Sequence, residues 1–274
     1  MSKTWFISGT STGLGRLLTE SLLKRGDRVV ATLRKPNMLN NLREKFGDRL
    51  HILKLDVTDT TAIRESVAEA FNHFGRIDLV VSNAGYGLFG AAEEVSDDQL
   101  ERQIATNLTG SIQLIRAVLP YLRQQGGGRV VQVSSEGGQI AYPNFSLYHA
   151  TKWGIEGFVE SVAQEVAPWG IDFMLVEPGP TGTNFAEGLD RAQTLRCYDE
   201  TPAGEVRRAV DNGDFIISGD AVKAVAAMIA AADAPVMPFR LALGSTSYSS
   251  IREALSRRLQ QLEAQKAVTL STDK

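Results

Sequence analysis

The chain has 274 residues, which suits one large α/β domain, and we predict a single domain over residues 1–274. Its 29 lysines and arginines nearly balance 32 aspartates and glutamates, and the net charge of −3 excludes a strongly basic nucleic-acid-binding protein. No stretch reaches the ~18 consecutive apolar residues of a membrane span and no secretory signal is present, so we expect a cytoplasmic protein with no membrane partner.

Seven short apolar runs alternate with amphipathic stretches along the chain. The runs predict buried strands at residues 5–8, 28–33, 51–55, 79–82, 130–134, 173–177 and 241–244. The stretches predict helices at residues 14–25, 61–74, 97–124, 148–168 and 219–232. Because the runs are continuously apolar, they indicate a parallel sheet covered on both faces, a doubly wound α/β fold of about seven strands.

Two segments lie outside this alternation. Residues 184–218 have no clear strand or sheet-covering pattern, which predicts a functional loop, here a substrate loop. Residues 248–268 form a C-terminal helical extension whose stripe of Leu255, Leu259 and Leu262 predicts packing on the body or on a partner subunit. The extension also contains Arg252, Arg257 and Arg258. These arginines alternate with glutamates, which is typical of a solvated helix face.

A glycine-rich turn follows the first predicted strand and opens the first predicted helix. Gly9, Gly13 and Gly15 let the backbone approach a ligand where unpaired N–H groups and the helix dipole favour a pyrophosphate. A purely structural turn is the alternative. The position at the start of a βαβ unit favours a dinucleotide site.

Tyr148 and Lys152 are four positions apart in a predicted helix, so their side chains share one face. A nearby cation favours phenolate, and we expect Lys152 to lower the pKa of Tyr148 and make it a usable acid or base. A surface contact is the alternative for this pair alone. Ser134 and Ser135 favour catalysis, because they end an apolar strand, where open α/β sheets face the ligand crevice.

These motifs, in this order, resemble the short-chain dehydrogenase/reductase family over residues 3–244. The resemblance implies a Rossmann-like fold, an NAD(P)(H)-dependent interconversion of an alcohol and a carbonyl, and a catalytic tetrad of Asn107, Ser135, Tyr148 and Lys152. Ser135 would hold the carbonyl oxygen and Tyr148 would give it a proton. Lys152 would bind the nicotinamide ribose, and Asn107 would hold a water in the proton relay. The alternative from another class is a non-catalytic NADP-binding sensor or regulatory scaffold.

The same resemblance implies a series of cofactor contacts. Ser82 stands where the family's Asn-Asn-Ala-Gly segment begins with asparagine, a change that concerns sheet stability more than chemistry. The implied cofactor-binding residues are Gly9, Ser11, Gly13, Leu14, Gly15, Arg34, Asp56, Val57, Asn83, Ala84, Gly85, Tyr148, Lys152, Pro178, Gly179, Thr181 and Thr183.

The residues after the second predicted strand favour NADP(H) over NAD(H). An NAD-selective site has an acidic residue there, whereas this chain has Leu33. Arg34 and Lys35 follow, and a guanidinium can bind a 2′-phosphate bidentately. In similar enzymes the position of Ser11 also reaches that phosphate. The alternative is that Arg34 and Lys35 are ordinary solvated charges at the end of a strand and that the site binds both NADP(H) and NAD(H).

The substrate prediction rests on apolar and aromatic residues near these motifs, which would form a mainly apolar cleft. They are Tyr86, Leu88, Phe89, Gln139, Tyr142, Phe145, Phe185, Leu189, Leu195 and Tyr198. Residues 30–34, the substrate loop and the extension are similar to the hydroxysteroid and retinol dehydrogenase-like branch. That similarity implies a small lipophilic carbonyl compound as substrate.

Metal and disulfide candidates are few. Cys197 is the single cysteine and forms no internal disulfide. His51, His73 and His149 are widely separated in the sequence, and we expect no metal site. We expect His149 to point about 100° away from Tyr148 around the helix and to take no part in proton transfer.

Two long predicted helices, at residues 97–124 and 148–168, predict a homo-oligomer, either a dimer or a tetramer. Family members commonly pair these helices, and their outer stripes would form a four-helix contact. The alternative is a monomer in which each of these helices has a single apolar face, packed on its own sheet. The apolar positions assigned to the stripes are Ile112, Ile115, Val118, Phe158, Val162 and Val166.

Overall fold

The computed structural model describes residues 2–214 and 216–274, and a parallel sheet forms its centre. In chain order the strands are β1 (Thr4–Ser8), β2 (Arg28–Leu33), β3 (Leu50–Lys54), β4 (Leu79–Ser82), β5 (Leu88–Phe89), β6 (Gly128–Val133), β7 (Ile171–Pro178), β8 (Asp190–Arg191) and β9 (Arg240–Leu243). The central sheet has 7 strands in the order β3-β2-β1-β4-β6-β7-β9, and β5 pairs separately with β8. The predicted doubly wound, Rossmann-like fold is confirmed.

Helices cover both faces of this sheet. In chain order the α-helices of the described residues are α1 (Gly13–Arg25), α2 (Asn40–Phe46), α3 (Thr60–Phe74), α4 (Asp97–Ile104), α5 (Gly110–Gln124), α6 (Ser146–Val166), α7 (Pro202–Asp211), α8 (Ala221–Asp233), α9 (Ser245–Ala264) and α10 (Lys266–Leu270). None of the described helices combines the length and the apolar character needed to cross a membrane.

Successive residues of β1 point to opposite faces of the sheet. Trp5 and Ile7 pack into a core with α1 and α8, whereas Phe6 packs into a second core with α3, α5 and α6. All three side chains are buried. Burial on both faces explains why the sequence shows continuous apolar runs instead of alternation.

The functional segments gather at the carboxyl ends of the strands. β1 pairs with β2 on one side and with β4 on the other, so the winding direction of the chain reverses there. The glycine turn after Ser8 and the segment after Ser82 therefore meet at one edge of the sheet. Doubly wound sheets bind their ligands at such a switch point.

The helix predicted at residues 97–124 is interrupted. Ser96 and Gln99 form a capping box that begins α4, but Ala105–Thr109 are π-helical and α5 begins at Gly110. A Cβ on Gly110 would lie 2.6 Å from the carbonyl oxygen of Val57, so the glycine allows this helix to pack closely on the chain after β3. Short π segments are frequent at functional sites, and this one contains Asn107.

The predicted substrate loop contains regular structure that the sequence reasoning missed. α7 packs Val206 and Val210 against the aromatic cluster of Phe89, Phe145 and Tyr148. Its short amphipathic pattern has few apolar positions, which explains the omission. Residue 215 of this loop and residue 1 of the predicted domain lie outside the described residues.

The stripes assigned to subunit contact face the core of the same chain. Ile112 and Phe158 are partly buried and pack on this core, and the other four residues are buried in it: Ile115, Val118, Val162 and Val166. The assignment of these four as outer positions is wrong, because the sheet and the neighbouring helices already cover them. For the partly buried Ile112 and Phe158 it stays a prediction. The oligomer itself stays a prediction.

The C-terminal extension reaches the body through different residues than predicted. Ile251 and Ala254 of α9 are buried, but the leucine stripe is not: Leu255, Leu259 and Leu262 are 48%, 60% and 59% exposed. The extension therefore packs on the body, but not through the leucine stripe, and contact of that stripe with a partner stays a prediction. Arg258 does not belong to a solvated face, since it donates to the carbonyl of Gln139 at 2.7 Å and lies 4.9 Å from the ring centroid of Trp153.

Candidate active site

The glycine turn has a backbone that larger residues adopt only with strain. Gly9 and Gly13 have φ of +72° and +59°. A Cβ on Gly9 would lie 2.7 Å from the Cα of Ala84, and one on Gly15 would lie 2.3 Å from the carbonyl oxygen of Gly9. The turn therefore packs directly on the end of β4 and on α1, with the N–H groups of the helix terminus beside the crevice.

Ser8 and Asn83 hold this turn against β4. The N–H groups of Asn83 and Ala84 donate to Ser8 Oγ at 2.9 and 3.1 Å, and Asn83 Nδ2 donates to the carbonyls of Ser8 and Gly9 at 3.0 Å. Sequence reasoning missed Ser8. A small polar residue at the end of the first strand, directly before the turn, was the available signal.

Ser135, Tyr148 and Lys152 meet beside the end of β6, and they are 8%, 7% and 6% exposed. Ser135 Oγ accepts a hydrogen bond from the N–H of Gly137 at 3.1 Å, and Lys152 Nζ donates to the carbonyl of Val133 at 3.1 Å. Lys152 Nζ lies 5.6 Å from the ring centroid of Tyr148. The structure thus brings three of the four predicted catalytic residues together.

Burial dominates the protonation of this group. Burial raises the pKa of Tyr148 to about 12, although the hydroxyl of Ser135 lowers it. Burial also lowers the pKa of Lys152 to about 8, against a smaller opposite effect of Glu156. The prediction that Lys152 brings the pKa of Tyr148 below its ordinary value is wrong for this structure, because desolvation of the phenolate is the larger effect.

Asn107, the fourth predicted catalytic residue, is buried in the π-helical segment. Its Nδ2 donates to the carbonyl of Tyr86 at 2.8 Å, and its Oδ1 accepts from the N–H of Tyr86 at 3.1 Å. The side chain therefore fixes the backbone of Tyr86, which lines the cleft.

A cleft of about 760 Å³ runs along the carboxyl ends of the strands. The predicted site residues that line it are Gly9, Ser11, Gly13, Leu14, Arg34, Asp56, Val57, Asn83, Ala84, Gly85, Ser135, Tyr148, Lys152, Pro178, Gly179, Thr181 and Thr183. Gly15 and Asn107 are not part of its lining, but each contacts a residue that is: Gly15 packs on Gly9, and Asn107 is hydrogen-bonded to Tyr86.

Arg34 and Asp56 both line the part of the cleft next to β2 and β3. The N–H and Oγ1 of Thr58 donate to Asp56 Oδ1 at 3.0 and 2.8 Å. The pKa of Asp56 is lowered, first by the N–H of Thr58 and to a smaller extent by the charge of Arg34. Leu33 and Ser11 also line the cleft.

The catalytic part of the cleft has aromatic and apolar walls. The predicted substrate residues that line it are Tyr86, Tyr142, Phe145, Phe185 and Leu189. Leu88 and Phe89 are buried behind them, with the ring of Phe89 edge-on to that of Phe145 at 5.1 Å.

Besides Leu88 and Phe89, three further predicted wall residues are not part of the lining. Gln139 Nε2 donates to both carboxylate oxygens of Glu177 at 2.9 Å. The hydroxyl of Tyr198 donates to Glu93 at 2.9 Å, and the N–H of Leu195 donates to Glu94 at 2.8 Å. Their assignment as substrate walls is wrong, because these contacts hold them elsewhere.

The histidines are placed differently from one another. His149 packs edge-on to Tyr142 at 4.5 Å, and burial lowers its pKa to about 4. His51 and His73, distant in sequence, stack with ring centroids 4.0 Å apart. Within the described part of the chain, no three His, Cys, Asp or Glu side chains form a metal-binding group.

A buried ion network behind Lys152 was missed by the sequence reasoning. Arg240 donates to Glu156 at 2.6 Å and also binds Glu177, while Ser134 Oγ donates to Glu156 at 2.6 Å. The glutamate one helical turn after Lys152 was the available signal. Within this network the charge of Glu156 raises the pKa of Lys152 against the larger effect of burial.

The comparison with known proteins decides the family. A family model described as short chain dehydrogenase matches residues 3–194, which is more than half of the chain. The chain belongs to the short-chain dehydrogenase family. The resemblance found in the sequence is confirmed, and the protein is an NAD(P)-dependent oxidoreductase.

This short-chain dehydrogenase is similar to named relatives over about two thirds of its length or more, and to a solved structure over nearly all of it. Oxidoreductase BOA17 of Botryotinia fuckeliana is 46% identical over 196 residues, covering 71% of this chain and 72% of that protein. A 3-ketodihydrosphingosine reductase of Bacteroides thetaiotaomicron is 35% identical over 181 residues, covering 66% of this chain and 65% of that protein. The crystal structure of a short-chain dehydrogenase from Streptomyces avermitilis has a TM-score of 0.92 and 36% sequence identity, and the match covers 99% of this chain and 98% of that chain.

The residues of this short-chain dehydrogenase fit a nicotinamide cofactor. The turn at Gly9 has no room for a Cβ, and the helix terminus beside it offers N–H groups to a phosphate. The ammonium of Lys152 has three donors, and the carbonyl of Val133 takes one of them. A buried ammonium requires further acceptors, which the hydroxyls of a bound ribose would provide.

Proposed function

We propose that this enzyme interconverts a carbonyl and an alcohol on a small lipophilic substrate, with NADP(H) as the preferred cofactor and Tyr148 as the acid and base. The observation that carries the proposal is the meeting of Ser135, Tyr148 and Lys152, all buried, in one cleft that continues to the glycine turn and to Arg34. A hydroxyl, a phenol and an ammonium are the donors that reduction of a carbonyl requires.

Each of these side chains has a defined part. The bound nicotinamide cofactor supplies or removes the hydride. Ser135 donates a hydrogen bond to the substrate oxygen, and Tyr148 transfers its proton to that oxygen as negative charge develops. Because burial holds the pKa of Tyr148 at about 12, the phenolate needs the positive charge of Lys152, whose Nζ lies 5.6 Å from the ring centroid.

The preference for NADP(H) rests on the residues that line the adenine-binding part of the cleft. Arg34 lines it and offers a guanidinium to a 2′-phosphate, and Leu33 cannot bind the hydroxyls as an acidic residue would. Ser11 lines the same cleft and adds a hydroxyl donor.

The lipophilic substrate is supported by the catalytic part of the cleft. Tyr142, Phe145, Phe185 and Leu189 line it, and apolar walls with few polar groups are typical of sites for apolar ligands. The relative named 3-ketodihydrosphingosine reductase supports a lipid-like carbonyl compound as the substrate class.

The experiment that tests this function is NADPH oxidation with a panel of aliphatic and aromatic ketones and aldehydes. We expect measurable turnover by the wild type and a loss of at least about a hundredfold in Tyr148→Phe, which keeps the ring but removes the transferable proton. Equal rates in the two proteins would contradict the catalytic assignment and support a non-catalytic NADP-binding protein.

A further inference from the structure

Glu136 is a carboxyl group in the wall of the cleft that the reaction above does not use. It directly follows Ser135, lines the cleft together with Tyr148, and is 3% exposed. Burial is the main cause that raises the pKa of both Tyr142 and Tyr148, and the charge of Glu136 adds to it, so the carboxyl lies near both phenols. A Cβ on Gly179, at the end of β7, would lie 3.4 Å from Glu136 Oε2. The carboxyl is therefore close to the reacting end of the cleft.

The protein gives this carboxyl little compensation for burial. Ser250 Oγ of α9 donates to Oε2 at 2.8 Å, and no other hydrogen bond or ion pair to the carboxyl is found within residues 2–214 and 216–274. Glu177, another buried glutamate, binds both Arg240 and Gln139. A carboxylate has room for about four hydrogen bonds, so Glu136 keeps acceptor capacity on the side of the cleft.

We propose that Glu136 accepts a hydrogen bond from a substrate hydroxyl next to the reacting carbonyl, so that the enzyme selects α-hydroxy carbonyl compounds over their deoxy counterparts. This inference rests on the proposed function, because Ser135 places the carbonyl beside Glu136. A substrate hydroxyl supplies the missing partner of the buried carboxyl, whereas an alkyl group displaces water and leaves the carboxyl unpaired. Ser250 is the positioning residue that fixes the carboxyl from α9.

The test compares matched substrates within one protein preparation. We would measure kcat/KM with NADPH for 2-hydroxyacetophenone against acetophenone and for 1-hydroxy-2-octanone against 2-octanone. For each pair, the kcat/KM of the hydroxy compound is divided by that of its deoxy counterpart, and this ratio does not depend on how much of the protein is folded. Dividing the wild-type ratio by the ratio of a variant then removes the intrinsic difference in reactivity between the two ketones. The proteins are the wild type, Glu136→Leu, Glu136→Gln and Ser250→Ala.

We expect the ratio to fall by at least about tenfold in Glu136→Leu, through slower turnover of the hydroxy compounds alone. Glu136→Gln, which keeps an acceptor oxygen, retains part of the preference, and Ser250→Ala gives a smaller loss than Glu136→Leu. As a second readout, calorimetric titration of 1-phenyl-1,2-ethanediol in the presence of NADPH, a pair that cannot react, shows weaker binding to Glu136→Leu than to the wild type.

Two results overturn the inference and are distinguishable. An active wild type whose substrate ratios equal those of Glu136→Leu refutes the role of Glu136 and leaves the proposed function intact. A wild type that oxidises no NADPH with any ketone or aldehyde refutes the proposed function, and the inference fails with it.

Discussion

Lys152 Nζ donates a hydrogen bond to the carbonyl oxygen of Val133 at 3.1 Å, and this neutral oxygen is the only acceptor that the described residues give to a buried ammonium. The same carbonyl also accepts from Gln132 Nε2 at 2.9 Å, so it stays paired if the lysine is replaced. The lysine is thus held in place at an electrostatic cost, which is typical of a group kept for function rather than for stability.

The first prediction follows from that cost. Lys152→Met raises the free energy of unfolding of the cofactor-free protein at pH 7 by an amount on the order of 2 to 3 kcal/mol, because it removes a buried charge. The pKa of Lys152 falls from 10.5 to about 8 on folding, so its destabilising effect is complete below pH 8 and disappears as the pH rises towards 10.5. Denaturant unfolding at pH 7 and pH 10.5 measures both values.

The control for this prediction is Lys24→Met, which replaces an exposed lysine of α1 and brings no comparable gain. A difference between Lys152→Met and the wild type that is absent at pH 7, or that stays constant up to pH 10.5, contradicts the prediction.

The second prediction concerns two helical glycines. Gly15→Ala places a Cβ 2.3 Å from the carbonyl oxygen of Gly9, and we expect a loss of roughly 1 to 3 kcal/mol in stability together with a loss of NADPH binding. The Cβ of Gly157→Ala in α6 meets no atom within 4 Å, so this substitution raises the free energy of unfolding by about 0.5 to 1 kcal/mol through helix propensity. Thermal unfolding and fluorescence titration with NADPH measure these effects, and equal stability of the two variants would refute the steric argument.

The third prediction tests the cofactor preference. The wild type favours NADPH over NADH in kcat/KM by at least about tenfold, since one charge-assisted contact contributes about 1.5 to 3 kcal/mol. Arg34→Ala loses most of that margin, and Leu33→Asp shifts the preference towards NADH. Lys35→Ala is the matched control, because Lys35 does not line the cleft, and its ratio stays at the wild-type value. A wild-type preference for NADH would overturn the assignment.

The fourth prediction concerns the attachment of α7, which covers the aromatic wall of the cleft. Arg207 binds Glu94, whose side chain is 0% exposed, and the N–H of Leu195 also donates to Glu94. Arg207→Ala leaves that carboxylate without its cation, and we expect a local destabilisation of about 3 kcal/mol, read as faster amide hydrogen exchange in α7.

An exposed ion pair of the same segment provides the control for α7. Arg191 and Asp211 have side chains that are 46% and 51% exposed, so Arg191→Ala costs less than about 1 kcal/mol. Equal exchange rates in the two variants would show that burial of Glu94 does not strengthen the attachment.

The amino-acid sequence by itself determined the sheet and the location of the cleft. Continuously apolar runs are required wherever both faces of a strand are covered, so the strands at Arg28–Leu33 and Leu79–Ser82 have the predicted bounds. The glycine turn and the Tyr148–Lys152 spacing are equally local, because each depends on backbone conformation or helix periodicity within a few residues.

Only the tertiary structure decided the properties that depend on what surrounds a side chain. The pKa of Tyr148 rises because desolvation outweighs the effect of the Ser135 hydroxyl, and the spacing of two residues in the sequence does not determine how deeply they are buried. The stripe around Ile115 and Val118 faces the core of its own chain, since a helix between a sheet and other helices is covered on more than one side. Glu136 became a candidate for substrate recognition only when folding placed Ser250, 114 positions away in sequence, as its partner on one side and the cleft on the other.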